Sequence, residues 1–366
     1  MRGLGFGCHG EECRPEMPDG VVRHTSMIEI LSTRGHAIQQ TMEIHMRTRA
    51  VVGIASVIVG LGSISACGSS DGGTAADGAA AVVNVGMVPV AEAIPLELGI
   101  SKGFFKKQNL TIKKTVGQGG PALIAGVSSG SLDVGMAAGP PLIAARSSNV
   151  PVVALLGATA TGDNEAKPYL ALVVKKGSSI TSVADLAGKT IAVNGLKSNS
   201  ELYVRADVAA RGGNPASLKF IEVPWPDQQT ALEKGRVDAV ALAEPFLTPT
   251  LAAGAKVLLP FASDILGPDG PITYWFTSER QIKDKKDVID RFDTAMTAAS
   301  EYAQAHPEEA RAAYASFAKL QPGQADEITL PKFGPPVDMA NFEKDAGLMV
   351  KYGFLPKAPN LDGIIR

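Results

Sequence analysis

The stretch GSLDVGMAAGPPL, residues 130–142, returns in step and without a gap as GRVDAVALAEPFL at residues 235–247. Gly130, Asp133, Ala138, Pro140 and Leu142 recur as Gly235, Asp238, Ala243, Pro245 and Leu247, while the clearest mismatch sets Gly139 against Glu244. A Gly-x-x-Asp turn, a short apolar run and a proline-bearing turn describe the entry and exit of a strand. A chain that carries this set twice is expected to fold as two similar lobes.

The flanking sequence alternates in the same way on both sides. VVNVGMV, LTIKKTV, LDVGMAA and VPVVALLGA read as strands in the first half; KTIAV, LKFIEV, VDAVALA and AKVLLPFA read as strands in the second. Between them lie helical stretches, with Pro95 near the start of one and Gly103 past its end, and with Gly212 and Gly213 closing another. Strand and helix taking turns is the pattern of an α/β protein. The run from Pro168 (PYLALVVKKGSS) and the run PITYWFTSE at 271–279 are expected to cross between the lobes, with Tyr274 and Trp275 in the hinge. Lobe I is then 82–171 together with 277–366, lobe II is 172–276, and two crossing strands leave a cleft suited to a small ligand.

The amino-terminal quarter has a different composition. His9, His24, His36 and His45 are four of the five histidines, and Cys8 and Cys13 are two of the three cysteines. At Met46 a secretory grammar begins: MRTR is a cationic segment, AVVGIASVIVGLGSISA is uncharged and apolar, and Cys67 follows small residues. ISAC resembles a bacterial lipobox, so residues 46–66 read as a lipoprotein signal peptide and Cys67 as the lipid-attachment residue. A transmembrane anchor is the competing reading, weakened by three glycines and a serine-rich end. Residues 1–45 read as an upstream extension from a mis-called start codon, and 67–81, rich in Gly, Ala and Ser, as a flexible tether.

The formal charge of -2 and pI near 6.2 give no global field for nucleic acid, so that partner is not expected. With Cys67 lipidated no thiol remains for a disulfide or thiolate site, and His306 is the only histidine beyond residue 45. Neither a Ser-His-Asp triad nor a multi-histidine metal cluster can be assembled, and no G-x-x-x-x-G-K-[ST] loop is present. No cofactor is expected, and the chain is read as not an enzyme. Carboxylate-only catalysis stays open.

VGMVPVAEAIPLELGISKGFFKKQNLTI, GVSSGSLDVGMAAGPPLIAA, SVADLAGKTIAVNGLKSNSELYVRADVAARGG and ALEKGRVDAVALAEPF, within residues 82–320, resemble the nitrate/sulfonate/taurine family of ABC-transporter substrate-binding lipoproteins. The resemblance implies a two-lobed periplasmic-binding-protein fold, type II like, with two crossing strands as a hinge. It also implies a monomer that captures a small organic anion, sulfonate- or taurine-like, or nitrate. Its partners would be an ABC permease with its cytoplasmic ATPase, and its place the outer face of the cell membrane, held through Cys67. Similar proteins take thiamine-pyrimidine precursors or aromatic carboxylates, and a surface solute sensor would look the same.

Candidate ligand contacts lie where strands end. Ser198 with Glu201 fits a capping box; the amides of Ser198, Asn199 and Ser200, with Lys197 beside them, could alternatively hold an anionic group. Pro89, Val90 and Ala91 bring backbone to the cleft, and Glu92 either serves the start of a helix or bonds a cationic or hydroxyl group. Gln118, Gly119 and Gly120 offer donors or simply make a turn. Ala138 and Gly139 leave room that Glu244 and Phe246 fill in the second lobe, unless the Glu-Pro-aromatic turn is architectural. Trp225, between prolines, either reaches the cleft or packs within its lobe.

Overall fold

The computed structural model describes residues 80–162, 166–321 and 323–366, all within one compact unit, Thr74–Arg366. The upstream extension, the signal segment, Cys67 and the tether up to residue 79 lie outside the described residues. Among the described residues no helix is long and apolar enough to cross a membrane.

The first lobe runs β1 (Ala81–Met87), α1 (Ile94–Ser101), α2 (Phe104–Lys107), β2 (Leu110–Val116), α3 (Gly120–Ser129), β3 (Gly135–Ala138), α4 (Gly139–Ser147) and β4 (Val152–Ala160). The second runs β5 (Leu170–Val174), β6 (Thr190–Val193), α5 (Asn199–Ala210), β7 (Lys219–Glu222), α6 (Trp225–Glu233), β8 (Ala239–Ala243), α7 (Leu247–Ala252), β9 (Lys256–Pro260) and α8 (Ser263–Leu266). The chain then returns through β10 (Pro271–Ser278), α9 (Glu279–Asp284), α10 (Lys286–Ala305), α11 (Pro307–Ala318), α12 (Gln324–Glu327), β11 (Lys332–Phe333) and α13 (Met339–Lys351).

Both sheets have one plan. In lobe I, β1 is parallel to β2 and touches the approach to β3 through the Val85–Val134 bridge; β10 lies antiparallel between β3 and β4, with β11 on the far side of β4. In lobe II the order is β7-β6-β8-β5-β9, with β6 parallel to β7 and β8, and β5 antiparallel between β8 and β9. Each sheet thus receives, between its third and fourth strands, the strand that the chain lays down on leaving the other lobe.

That arrangement moves two boundaries. Leu170 and Ala171 pair within lobe II, and Pro271–Phe276 pair within lobe I, so the crossings are the segments 161–169 and 261–270 rather than the strands themselves. Tyr274 and Trp275, expected in the hinge, are fully buried in the lobe I sheet. All eight residues of β10 are buried, as a strand covered on both faces requires. An apolar run of this kind has no mark of which sheet it joins.

The echo has a structural cause. Asp133 accepts the Asn84 backbone N–H at 2.8 Å, and Asp238 accepts the Thr190 N–H at 2.8 Å, so in each lobe the turn before the third strand ties down the first. Gly130 and Gly235 make those turns at φ 83° and 64°, where a side chain would be strained. The returning helices cover lobe I: α10 buries Ile289, Phe292, Met296, Ala299 and Ala303, a stripe at helical spacing. The carboxyl terminus is sewn to β4, the Ala154 N–H donating to Ile364 O at 2.7 Å and the Arg366 N–H to Ala154 O at 3.2 Å.

Candidate functional site

Parallel strands deliver their carboxyl ends to one edge of a sheet, and ligands of open α/β sheets sit outside that edge. In lobe I this edge carries the segments after β1, β2 and β3, and in lobe II those after β6, β7 and β8. All the sequence-predicted contacts other than the lipid-attachment residue fall in these six segments, three per lobe.

The start of α5 makes one half of the expected capping box, and the Glu201 carboxylate reaches one residue further back than the box requires. The Glu201 N–H donates to Ser198 Oγ at 3.5 Å, and the Glu201 carboxylate accepts the Lys197 N–H at 2.8 Å while pairing with Arg205 at 2.8 Å. The Ser200 hydroxyl donates to Asn194 Oδ1 at 3.1 Å, and the backbone amides of Asn199 and Ser200 have no hydrogen-bond partner among the described residues. The hydroxyls are thus committed to the fold, and the helix presents backbone donors. Lys197, exposed and at φ 57°, turns the chain into the cap.

In lobe I, Pro89 and Val90 lead into a short 3-10 turn, Ala91–Ala93, that buries Glu92. Glu92 is 6% exposed, and its Oε2 has no partner among the described residues. Burial pushes its carboxyl up to about 7 against the lowering effect of its own backbone N–H. Gln118 is exposed, and Gly119 precedes α3, whose first turn carries Pro121.

The two echoing turns differ as the sequence foretells, but the space at Gly139 is not open. A Cβ there would lie 2.5 Å from Asp345 Oδ2, because α13 lowers a carboxylate onto the first residue of α4. Asp345 is 1% exposed and accepts the Tyr203 hydroxyl at 2.9 Å. Since Tyr203 belongs to α5 and Asp345 to α13, this bond joins the lobes, and Lys344 Nζ donates to Ile265 O on the second crossing at 2.9 Å. In lobe II, Glu244 supplies its own carboxylate, 2% exposed, which accepts the Thr248 hydroxyl at 2.6 Å and the Thr248 N–H at 3.1 Å. Burial pushes both Asp345 and Glu244 up to about 7.

Glu244 also feels the Thr329 backbone from the return segment of lobe I. Trp225 opens α6 and stacks on Phe246 with ring centroids 6.1 Å apart, its indole N–H buried without a partner among the described residues. Tyr169, on the first crossing, is buried within hydrogen-bond range of Thr159 at 3.4 Å, and burial followed by the Glu92 charge holds its hydroxyl well above the usual phenol range. Tyr314 on α11 is fully buried; burial, with smaller contributions from Glu92 and Glu244, holds its hydroxyl well above the usual phenol range against the lowering effect of the Ala91 backbone.

Tyr169, Tyr203, Tyr314 and Asp345 carry no sequence signal of a site. Tyr169 sits in an apolar run and the other three on amphipathic helices, where they read as core positions, and two of them come from the returning helices, whose destination is a tertiary fact. Among the described residues no group of three His, Cys, Asp or Glu side chains could hold a metal ion. His306 stacks on Tyr302 between α10 and α11, away from these segments.

Comparison with known proteins follows this geometry. Residues 91–310 match the family described as NMT1/THI5 like. A Haemophilus influenzae protein named for thiamine biosynthesis is 26% identical over 273 residues, covering 70% of this chain and 82% of that one. The taurine-binding periplasmic protein of Escherichia coli is 28% identical over 180 residues, covering 49% of this chain and 53% of its own length. Among solved structures, the alkanesulfonate-binding protein of Xanthomonas axonopodis bound to MOPS superposes with a TM-score of 0.66 at 18% identity, covering 79% of this chain and 99% of that one. The fold is the periplasmic-binding-protein fold, and the chain belongs to the NMT1/THI5-like family.

Proposed function

We propose that this member of the NMT1/THI5-like family is the extracytoplasmic solute-binding component of an ABC importer. It closes its two lobes on a small organic solute bearing an anionic group and hands it to a membrane permease driven by a cytoplasmic ATPase. The observation that supports this reading is the Tyr203–Asp345 bond between the lobes, one turn beyond the start of α5, where the amides of Asn199 and Ser200 have no partner among the described residues. Those amides suit an anionic end, the region around Trp225 and Phe246 an apolar body. Relatives named for taurine and alkanesulfonate binding support such a solute.

The chemistry proposed is capture and release, not turnover. Closure is driven by contacts that exist only when both lobes touch the solute. The Tyr203–Asp345 bond already spans the lobes, so solute contacts add to a junction that is in place. Cys67 anchors the protein by its acyl chains, and a fatty-acid label incorporated by the wild type and lost in Cys67→Ser tests that part.

The test of function uses a soluble form beginning at Gly68. Thermal shifts are recorded against taurine, alkyl and aryl sulfonates, nitrate, aromatic carboxylates and pyrimidine precursors, and hits are titrated by calorimetry. A native-state ligand raises the melting temperature by mass action, by about 3 kcal/mol of stability at a hundred times Kd. A sulfonate hit with micromolar or better affinity is the expected result; a panel with no hit counts against solute capture of this class.

A further inference from the structure

The two crossings run side by side but are built differently. The Gly162 N–H donates to Pro268 O at 3.1 Å and the Thr161 hydroxyl to Gly267 O at 3.0 Å. Where the first crossing turns at a glycine, Gly162 at φ 73°, the second turns at Ala262, at φ 79° and ψ -31°, outside even the left-handed basin. Ala262 is fully buried, and its methyl group can make no hydrogen bond to stabilise such a backbone. It is also the residue from which α8 starts, a position whose ordinary backbone is extended. Strained residues of this kind persist only where their surroundings fix them, and they gather at switches.

One face of α5 does the fixing. The Ala262 N–H donates to Asp207 Oδ2 at 2.7 Å, and one turn further on Arg211 pairs with Asp264 of α8 at 2.9 Å. One turn before Asp207, Tyr203 donates to Asp345 of lobe I, and one turn before that lies Asn199 with its unpartnered amide. Asn199, Tyr203, Asp207 and Arg211 stand four apart, so they form a single stripe along the helix. From lobe I, Lys344 of α13 reaches the same crossing at Ile265 O. Asp207 is fully buried, and its Oδ1 has no hydrogen-bond partner among the described residues. Burying an acid is costly, and here its one bond is to the strained residue.

We propose that Asp207 and Ala262 form a sprung hinge: the Asp207 side chain holds the second crossing in its strained turn, and parting of the lobes lets Ala262 relax to an ordinary backbone angle. The hinge rests on the solute-capture reading and deepens it, by naming what sets the balance between open and closed forms before a solute arrives. Strain at Ala262 favours opening. The Asp207 bond favours the arrangement in which Tyr203 meets Asp345. The two act in opposite directions on one residue, and a solute held at the start of α5 tips the hinge by what it adds to the closed side. The open or closed population in turn scales the apparent affinity.

The test follows lobe separation by small-angle scattering of the soluble chain beginning at Gly68, with no solute present. Asp207→Ala frees the crossing and is expected to shift the ratio of open to closed forms about ten-fold toward open, a factor worth about 1.4 kcal/mol. Asp207→Asn, whose amide oxygen still accepts the Ala262 N–H, is expected to lie nearer the wild type. Adding Ala262→Gly to Asp207→Ala removes the strain and is expected to restore closure. An acid with a merely structural role would lower the melting temperature of Asp207→Ala without moving its scattering profile, and that result overturns the hinge. If Asp207→Ala does not fold, Ala262→Gly alone decides by its melt. Relief of strain holds its melting temperature at or above that of the wild type, whereas a fall, the ordinary result of replacing alanine by glycine, overturns the hinge. Because every reading is taken without solute, a hinge that fails leaves solute capture standing, and a silent solute panel leaves the hinge standing.

Discussion

The turn at Ala138–Gly139 and the turn at Ala243–Glu244 occupy the same place in two lobes of one plan, yet reach the same chemistry by different routes. In lobe II the carboxylate is local: Glu244 is part of the turn and is held by Thr248, four residues on. In lobe I the turn is bare, and the carboxylate comes from Asp345, far along the chain, packed onto Gly139 and bonded to Tyr203 of the other lobe. Both carboxyls are buried and pushed up to about 7. A local acid serves one lobe; a distant acid serves one lobe and binds it to the other. The second arrangement makes the position a junction, and sequence comparison of the two turns alone misses it.

Forcing the lobes to match breaks the comparison most severely. Gly139→Glu drives a side chain through Asp345 Oδ2 and buries a second acid against it, so a loss on the order of 4 kcal/mol or more is expected in denaturant melts. A variant as stable as wild type would show that α13 does not press on α4. The tie to the first strand comes next. Asp133→Ala removes the acceptor of the Asn84 N–H, of the Asn84 side-chain amide and of the half-exposed Lys285, for about 2 kcal/mol, while Asp238→Ala, which has no ion pair among the described residues, costs about 1 kcal/mol. Equal losses would mean that neither Lys285 nor the Asn84 side chain adds to the tie.

Tyr203→Phe sharpens the contrast, because it cuts the link between lobes and leaves the Asp345 carboxyl without its donor. About 2 kcal/mol of stability should be lost, and small-angle scattering of the ligand-free protein should shift toward a more open shape. Thr248→Val removes only a local donor to Glu244 and should leave the scattering unchanged. The pH dependence gives the smallest change per variant. Glu92, Glu244, Asp345 and, within lobe II, Asp207 titrate near 7 in the fold, above the ordinary carboxyl range, so between about pH 5 and 7 the folded chain holds more protons than the unfolded one. Stability therefore falls as pH rises through that window, and the loss is complete above it. Glu244→Gln or Asp345→Asn should each flatten the fall by on the order of 1 kcal/mol, read from melting temperatures between pH 5 and 8.

The lobes, the alternation of strand and helix, and the strand ends that face the cleft were legible in the repeated turn and its flanking runs. Period and punctuation are local properties, and Gly130, Asp133, Gly235 and Asp238 state them twice. Membership of a sheet is not local: β10 reads as an apolar run whichever lobe it joins, which is why the expected boundary fell among its residues. The capping pair at Ser198 and Glu201 was readable because its parts are three residues apart; the structure makes the Ser198 half of the box, while the Glu201 carboxylate takes the Lys197 N–H instead of that of Ser198. Asp345 and Tyr203 were not readable as the pair that joins the lobes. A buried acid and a buried phenol on amphipathic helices look like any half-polar core position until the partner surface is known.

Val116, 65% exposed at the end of β2, and Leu196, 53% exposed after β6, stand on the strand-end edges of opposite lobes. No cysteine follows Cys67. A soluble form beginning at Gly68 is therefore a blank background for thiol chemistry, and Val116→Cys with Leu196→Cys would place one dye on each lobe and none elsewhere. Such a doubly labelled protein is an optical gauge: energy transfer between the dyes would report lobe separation in real time, in growth medium or cell extract, before the solute has a name.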